Sequence, residues 1–112
     1  MRGEEIRAGK RDQLVAFERQ QAGFDDGFTK REGEWAELFK EWATVRYGSG
    51  AERRQAAQES ATVSATFGVL ANARTRTLRP RDRIAFNGSW NILAVAPSGR
   101  DKIVLTAVQN VG

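Results

Sequence analysis

The sequence predicts a mainly β protein, a small barrel or sandwich of five to six short strands with one short α-helix at about residues 49–61. Several short apolar segments alternate with polar residues, at the spacing typical of a small barrel or sandwich. The pair Asn87-Gly88 joins two of these segments and is the strongest short signal of a β-hairpin, because both residues tolerate a positive φ. Only residues 49–61 combine a helix start signal with a run of good helix formers.

The length and composition fit a single soluble domain spanning residues 1–112. Hydrophobic residues make up 40% of the chain and charged residues 29%, which is a globular composition. No apolar run approaches the roughly 18 residues of a membrane span, and the polar N-terminus lacks the apolar region of a signal peptide. We therefore expect no membrane partner.

The chain contains no cysteine and no histidine. This excludes disulfides and cysteine metal sites, and it removes the commonest general base and the commonest transition-metal ligand. Carboxylates remain, but no recognisable motif spaces them for catalysis. The sequence accordingly predicts a protein that is not an enzyme and that has no cofactor.

The first strand is predicted within residues 12–20, where Val15 and Phe17 alternate with less apolar residues. Residues 22–34 follow as a flexible loop, because three glycines and the adjacent Asp25 and Asp26 break any regular pattern. Phe24 and Phe28 allow two interpretations of this loop. It is either a hairpin tip with both aromatic rings turned inward or a mobile contact loop.

Residues 34–48 are ambiguous between helix and strand. The spacing of Trp35, Leu38, Phe39 and Trp42 matches the helical template. Residues 39–47 also alternate, with Lys40, Trp42, Thr44 and Arg46 on one side and Phe39, Ala43, Val45 and Tyr47 on the other. Two strand pieces with a bulge between them would reconcile both patterns.

The remaining elements are better defined. Ser49 and Glu52 form a capping box for the predicted helix at 49–61, whose small alanine face suits a surface or a subunit contact. Residues 62–70 alternate cleanly as a strand. After the Asn87-Gly88 hairpin, a turn at 97–99 leads into a final strand at 102–109.

Positive charge is concentrated in the second half of the chain. Residues 1–60 carry 11 basic and 12 acidic side chains, a net charge of −1, whereas residues 61–112 carry 7 basic and 2 acidic side chains, a net charge of +5. On an extended segment, Arg79, Arg81 and Arg83 would point to one side. The arginine candidates for contact with DNA or with another subunit are Arg53, Arg54, Arg74, Arg76, Arg79, Arg81 and Arg83.

Three interpretations of the arginines at 74–83 remain open. They form a solvated face partly neutralised by Asp82, a basic rim that contacts DNA phosphates without reading bases, or a set of forks that bind carboxylates of a neighbouring subunit. The acidic start of the chain and the 22–34 loop, with Phe24, Asp25, Asp26 and Phe28, would supply partners for the third. We interpret Trp35, Trp42 and Trp90 as core or interface anchors.

Four segments together resemble the phage head–tail joining family, whose members are also described as head–tail adaptor, head closure or connector proteins. They are "IRAGKRDQLVAFERQ", "DDGFTKREGEWAELFKEWATVR", "GSGAERRQAAQESATVSATF" and "RPRDRIAFNGSWNILAVAPSGRDKIVLTAVQ". Their order, rather than any single motif, carries the likeness, and they cover about residues 6–109. The resemblance favours strands over a helix at 34–48.

The resemblance implies a small β-barrel with one helix that assembles into a homo-oligomeric ring in a virion. Such a ring would bind a portal or adaptor protein on the head side and a tail terminator or tail tube protein on the tail side, around the exiting DNA. Assembly would take place in the bacterial cytoplasm. The alternative is a small basic barrel of the OB or SH3-like type that binds nucleic acid non-specifically. In this chain the arginines precede the aromatic residues instead of alternating with them, which disfavours a base-stacking platform and therefore this alternative.

Overall fold

The computed structural model describes residues 11–48 and 62–110, and the helix predicted at 49–61 lies outside these residues. Within these described residues, eight β-strands and one short 3-10 helix follow each other. They are β1 Gln13–Gln20, β2 Phe24–Asp25, β3 Lys30–Arg31, β4 Trp35–Tyr47, β5 Thr62–Leu70, the 3-10 helix Thr75–Thr77, β6 Arg83–Ala85, β7 Ser89–Ser98 and β8 Lys102–Asn110.

Six of the strands close into an antiparallel barrel, which confirms the predicted fold class and decides between barrel and sandwich. The strand order is β1-β4-β5-β8-β7-β6, and β6 pairs back with β1. Strands β2 and β3 form a separate two-stranded hairpin inserted between β1 and β4. No helix in the described part of the chain has the length and apolar character that crossing a membrane requires.

The barrel interior is filled by aromatic and branched side chains that alternate along the strands. Phe67 lies at its centre, with its ring centroid 5.6 Å from Trp90 and 6.1 Å from Phe86 in edge-on arrangements, a geometry that aromatic pairs prefer. The indole N–H of Trp90 donates a 2.7 Å hydrogen bond to the carbonyl of Phe86. The buried apolar residues are Val15, Phe17, Ala43, Ala65, Phe67, Val69, Leu78, Ile84, Trp90, Ile92, Ile103, Leu105 and Ala107.

Residues 35–47 form one strand with a bulge, as the strand interpretation required. Phe17 faces Phe39 across the pair, but the next residue, Glu18, faces Glu37, so Leu38 is the additional residue on β4. Leu38 and Phe39 therefore both pack against the core. Beyond the bulge the alternation holds, with Ala43 buried and Trp42 half exposed.

The predicted hairpin at Asn87-Gly88 is confirmed, with φ values of 49° and 101°. Gly88 is further restricted because a Cβ there would overlap the Gln109 side-chain amide, which donates a 2.7 Å hydrogen bond to the carbonyl of Asn87. The turn predicted at 97–99 is displaced. Strand β7 continues through Ser98, which pairs with Lys102, so the connection is 99–101.

Candidate interaction surfaces

The turn after the 3-10 helix is organised by the buried carboxylate of Asp82. Its two oxygens each accept a 2.8 Å hydrogen bond from the Arg19 guanidinium on β1, and one of them accepts a 3.0 Å bond from the Arg79 backbone N–H. Hydrogen bonding to Asp82 raises the pKa of Arg19. Arg19 also donates a 2.8 Å bond to the Thr77 carbonyl. Asp82 therefore fastens this turn to the barrel through Arg19, whereas the sequence interpretation had it neutralise the nearby arginines.

Residues 79–82 form a β-turn, so the predicted straight row of Arg79, Arg81 and Arg83 is wrong. The Asp82 N–H donates a 3.1 Å hydrogen bond to the Arg79 carbonyl, and Arg81 has a φ of 82°. Proline at the second position and a positive φ at the third match a type II turn, in which glycine is favoured where Arg81 stands. An arginine occupies a backbone conformation that a residue with a Cβ adopts only at a cost.

Arg83 belongs to the barrel wall and not to a free basic surface. Its guanidinium forms a 2.7 Å ion pair with Glu18 on the neighbouring strand β1. The same guanidinium lies 4.1 Å from the centroid of the Trp35 ring, within the range of a cation–π contact. The three side chains form one patch that covers the outside of the β6-β1-β4 sheet.

Arg74 is also partnered, although its side chain is 62% exposed. It forms a 3.2 Å ion pair with Glu41 and lies 5.6 Å from the centroid of the Phe39 ring. The amide of Asn72 donates a 3.4 Å hydrogen bond to the same Glu41 oxygen. The start of the 3-10 segment is thereby attached to β4.

Three arginines of the 74–83 set remain free to meet another molecule. Arg76, Arg79 and Arg81 are exposed, and no carboxylate of residues 11–48 or 62–110 forms an ion pair with their guanidinium groups. Arg100 and Lys102, at the turn between β7 and β8, are likewise exposed. Arg53 and Arg54 fall outside the described residues.

The β2-β3 hairpin ends in a tight turn held by two carboxylates. One oxygen of Asp26 accepts hydrogen bonds from the backbone N–H groups of Phe28, at 2.9 Å, and Thr29, at 2.7 Å. These bonds lower the pKa of Asp26. Asp25 accepts a 3.0 Å bond from the Gly27 N–H. The segment is thus a short hairpin with a defined turn, which agrees with the hairpin-tip interpretation of this predicted loop.

The aromatic side chains of this hairpin point outward, which contradicts the interpretation that they turn inward. Phe28 is 97% exposed and Phe24 is 55% exposed. At the hairpin base, Gly33 approaches the residue that follows β1 so closely that a Cβ would overlap the carbonyl of Gln21. The backbone N–H of Gln21 also donates a 2.8 Å hydrogen bond to the backbone carbonyl of Glu34, and this bond joins the hairpin to the barrel.

The three tryptophans have different environments. Trp90 is 2% exposed and belongs to the core. Trp35 is half-buried beneath Arg83. Trp42 is 51% exposed on the outer side of β4, which leaves it available as an interface anchor. Leu14 and Leu93 are also exposed apolar residues on the barrel surface.

Sequence reasoning missed the partners of the fixed arginines. Arg19, Glu18 and Glu41 stand on β1 and β4, more than 30 positions from the residues they bind. Local pattern gives no signal of such pairs, because they arise only when the barrel closes. Within residues 11–48 and 62–110, no group of three or more acidic side chains could hold a metal ion.

A closed barrel that carries a hairpin with an exposed aromatic ring and several exposed cations presents surfaces suited to contacts with other molecules. The family model described as phage head completion protein matches residues 6–109. The chain belongs to this family and is a structural protein of a phage-type virion. A search of the curated proteins gives no match.

A solved structure supports the same assignment. The chain is similar to a protein of the virion of a native gene transfer agent particle, with 28% sequence identity and a TM-score of 0.65. The alignment covers 91% of this chain and 96% of that one. The two proteins therefore match over nearly their whole lengths.

Proposed function

We propose that the chain is a head–tail connector subunit that forms a ring between portal and tail around the DNA channel. The match to the head completion family over residues 6–109 carries this proposal. In the ring, a portal or adaptor protein lies on the head side and a tail terminator or tail tube protein lies on the tail side. The similar protein from a gene transfer agent virion supports a place in the particle.

The surface chemistry suits such a ring. The hairpin turn presents carboxylates and a bare aromatic ring, whereas the 3-10 helix and the 79–82 turn present unpaired arginines. Two unlike surfaces on one chain are what a head-to-tail contact between identical subunits needs. Arg79 and Arg81 would also contact DNA phosphates, which requires no base reading in a channel that passes any sequence.

The structure weighs against the alternative of a single-strand binder. The tryptophans do not supply a base-stacking platform, because Trp90 is buried and the Trp35 ring is already covered by Arg83. Of the three tryptophans, Trp42 alone is largely open to solvent.

Deletion of the gene tests the proposal. Particles made without this protein should contain filled heads that fail to join tails, as counted by electron microscopy and by DNA content. The matched control supplies the unaltered protein in trans and restores tailed particles. Normal numbers of tailed particles in its absence would refute the proposed role.

A further inference from the structure

A groove lies between the 3-10 helix and the end of the β7-β8 hairpin, and three of the exposed cations described above line it. The groove is open to solvent and has a volume of about 360 Å³. Its apolar lining includes Val95, Pro97 and Ile103, and its cationic side chains are Arg76, Arg100 and Lys102.

The walls of the groove are held in place. The Ala71 N–H donates a 2.8 Å hydrogen bond to the Asp101 carbonyl, which ties the start of the 3-10 segment to the β7-β8 turn. Thr75 is fully buried, and its hydroxyl donates a 2.7 Å bond to the Leu70 carbonyl. The exposed Asp101 is the acidic neighbour of the groove, so three cations and one carboxylate leave a local excess of positive charge.

The hairpin turn has the complementary character. Residues 25–29 carry two carboxylates and no cation, while Lys30 and Arg31 lie behind them on β3. Phe28 is 97% exposed, so it does not fill the groove of its own chain. One oxygen of the Asp26 carboxylate accepts hydrogen bonds from the backbone of the turn that presents this ring.

We propose that the groove binds the hairpin turn of a second copy of this chain, with Phe28 against the apolar lining and Asp25 and Asp26 facing the basic rim. This contact joins two different surfaces, so each copy offers a turn to one neighbour and a groove to the other. It rests on the proposed ring and names the contact that builds it.

Disulfide cross-linking tests this contact directly, because the natural chain contains no cysteine. The test variant combines Thr29→Cys beside Phe28 with Pro97→Cys in the groove. The control combines Thr29→Cys with Ser98→Cys, since Ser98 lines a different depression with Thr44 and Thr66 and successive strand residues face opposite sides. Both variants are oxidised as purified chain at high concentration and within assembled particles.

The test variant should give a ladder of covalent multimers in denaturing gels, and the control should give dimers at most. Particles that contain the protein but yield no ladder would overturn the groove contact while leaving the connector role intact. Cross-links from Thr29→Cys to another virion protein would assign the turn to that partner and overturn the proposal. If deletion leaves tail joining normal, the connector role fails, and the ladder from purified chain still decides the contact.

A mixing experiment distinguishes a head-to-tail contact from a symmetric one. Phe28→Ser removes the anchor, and the pair Arg76→Glu with Arg100→Glu reverses the groove charge. In each variant alone, the affinity of self-association should fall on the order of tenfold or more, as expected for a central interface anchor. Mixed together, they should form complexes of two chains and no larger, through the intact turn of one and the intact groove of the other. Full self-association of either variant, or failure of the mixture to pair, would refute the contact.

Discussion

Arg19 and Asp82 stand 63 positions apart, yet their side chains form two hydrogen bonds of 2.8 Å that join β1 to the turn before β6. This turn follows the 3-10 helix and presents Arg79 and Arg81 to solvent. One buried carboxylate therefore positions the two arginines that we propose to contact DNA phosphates.

Replacing Asp82 with alanine should destabilise the fold by about 3 kcal/mol, because Arg19 loses a partly buried partner and the Arg79 N–H loses its acceptor. Chemical denaturation followed by tryptophan fluorescence measures the change. Asp101→Ala is the matched control at an exposed position, where we expect a change within about 0.5 kcal/mol. Equal stability of the two variants would show that the ion pair does not hold the turn.

Substitutions of Arg81 distinguish the free-energy cost of its positive φ from the role of its side chain in assembly. Arg81→Gly should leave stability unchanged or raise it by up to about 1 kcal/mol, because glycine adopts the positive φ without strain although it adds freedom to the unfolded chain. The same change should weaken assembly or DNA retention, whereas Arg81→Lys should retain them because it keeps the charge. An Arg81→Gly variant that is more stable and assembles normally would show that the side chain has no role there.

The free arginines should act through charge. Changing Arg79 and Arg81 together to glutamine should preserve the fold, since exposed charges contribute on the order of 1 kcal/mol or less each. DNA leakage from filled heads should rise as it does when salt is added to unaltered particles. Arg83→Gln is the contrasting variant and should lower the free energy of unfolding by about 1 kcal/mol, because Arg83 binds Glu18 and Trp35. If the double variant retains DNA normally at every salt concentration, Arg79 and Arg81 are only a solvated face.

Residue patterns within short segments predicted the barrel strands but not the arrangement of the arginine side chains. Strict alternation at 62–70 and the Asn87-Gly88 pair both reflect short-range geometry, and the structure confirms both. At 34–48 the helical spacing of the apolar residues was produced by the bulge at Leu38, which shifts the alternation by one residue. The predicted arginine row failed because its shape depends on the turn at Pro80 and on contacts with Glu18 and Asp82 that form only in the closed barrel.

The order of the hairpin turn should depend on pH through Asp26. Two backbone N–H groups favour its ionised form and lower its pKa from the ordinary value of 3.8. The stabilising contribution is therefore present above the pKa of the unfolded chain and is lost as the pH falls through the lower, folded pKa. NMR titration should show the amide signals of Phe28 and Thr29 shifting with a midpoint below 3.8. Asp26→Asn should remove this transition while an amide oxygen still accepts the bonds, and a midpoint at or above the ordinary value would contradict the assignment.

Assembly should protect the hairpin from solvent. Residues 22–34 contain two short strands of two residues each, held to the barrel at the base near Gly33. A ribbon this short is marginally stable without neighbours, so we expect it to open readily in the free subunit and to be held closed in the ring. Hydrogen exchange followed by mass spectrometry should show slower exchange of peptides covering 22–34 in assembled particles than in purified subunits.

The core strand β5 supplies the internal reference, because Phe67 and its neighbours are buried in both states. Phe28→Ser subunits should exchange at the same rate as unaltered free subunits and should gain no protection, because the lost ring is needed for docking and not for the fold. Equal exchange of 22–34 in the free and assembled protein would show that this hairpin makes no contact in the particle.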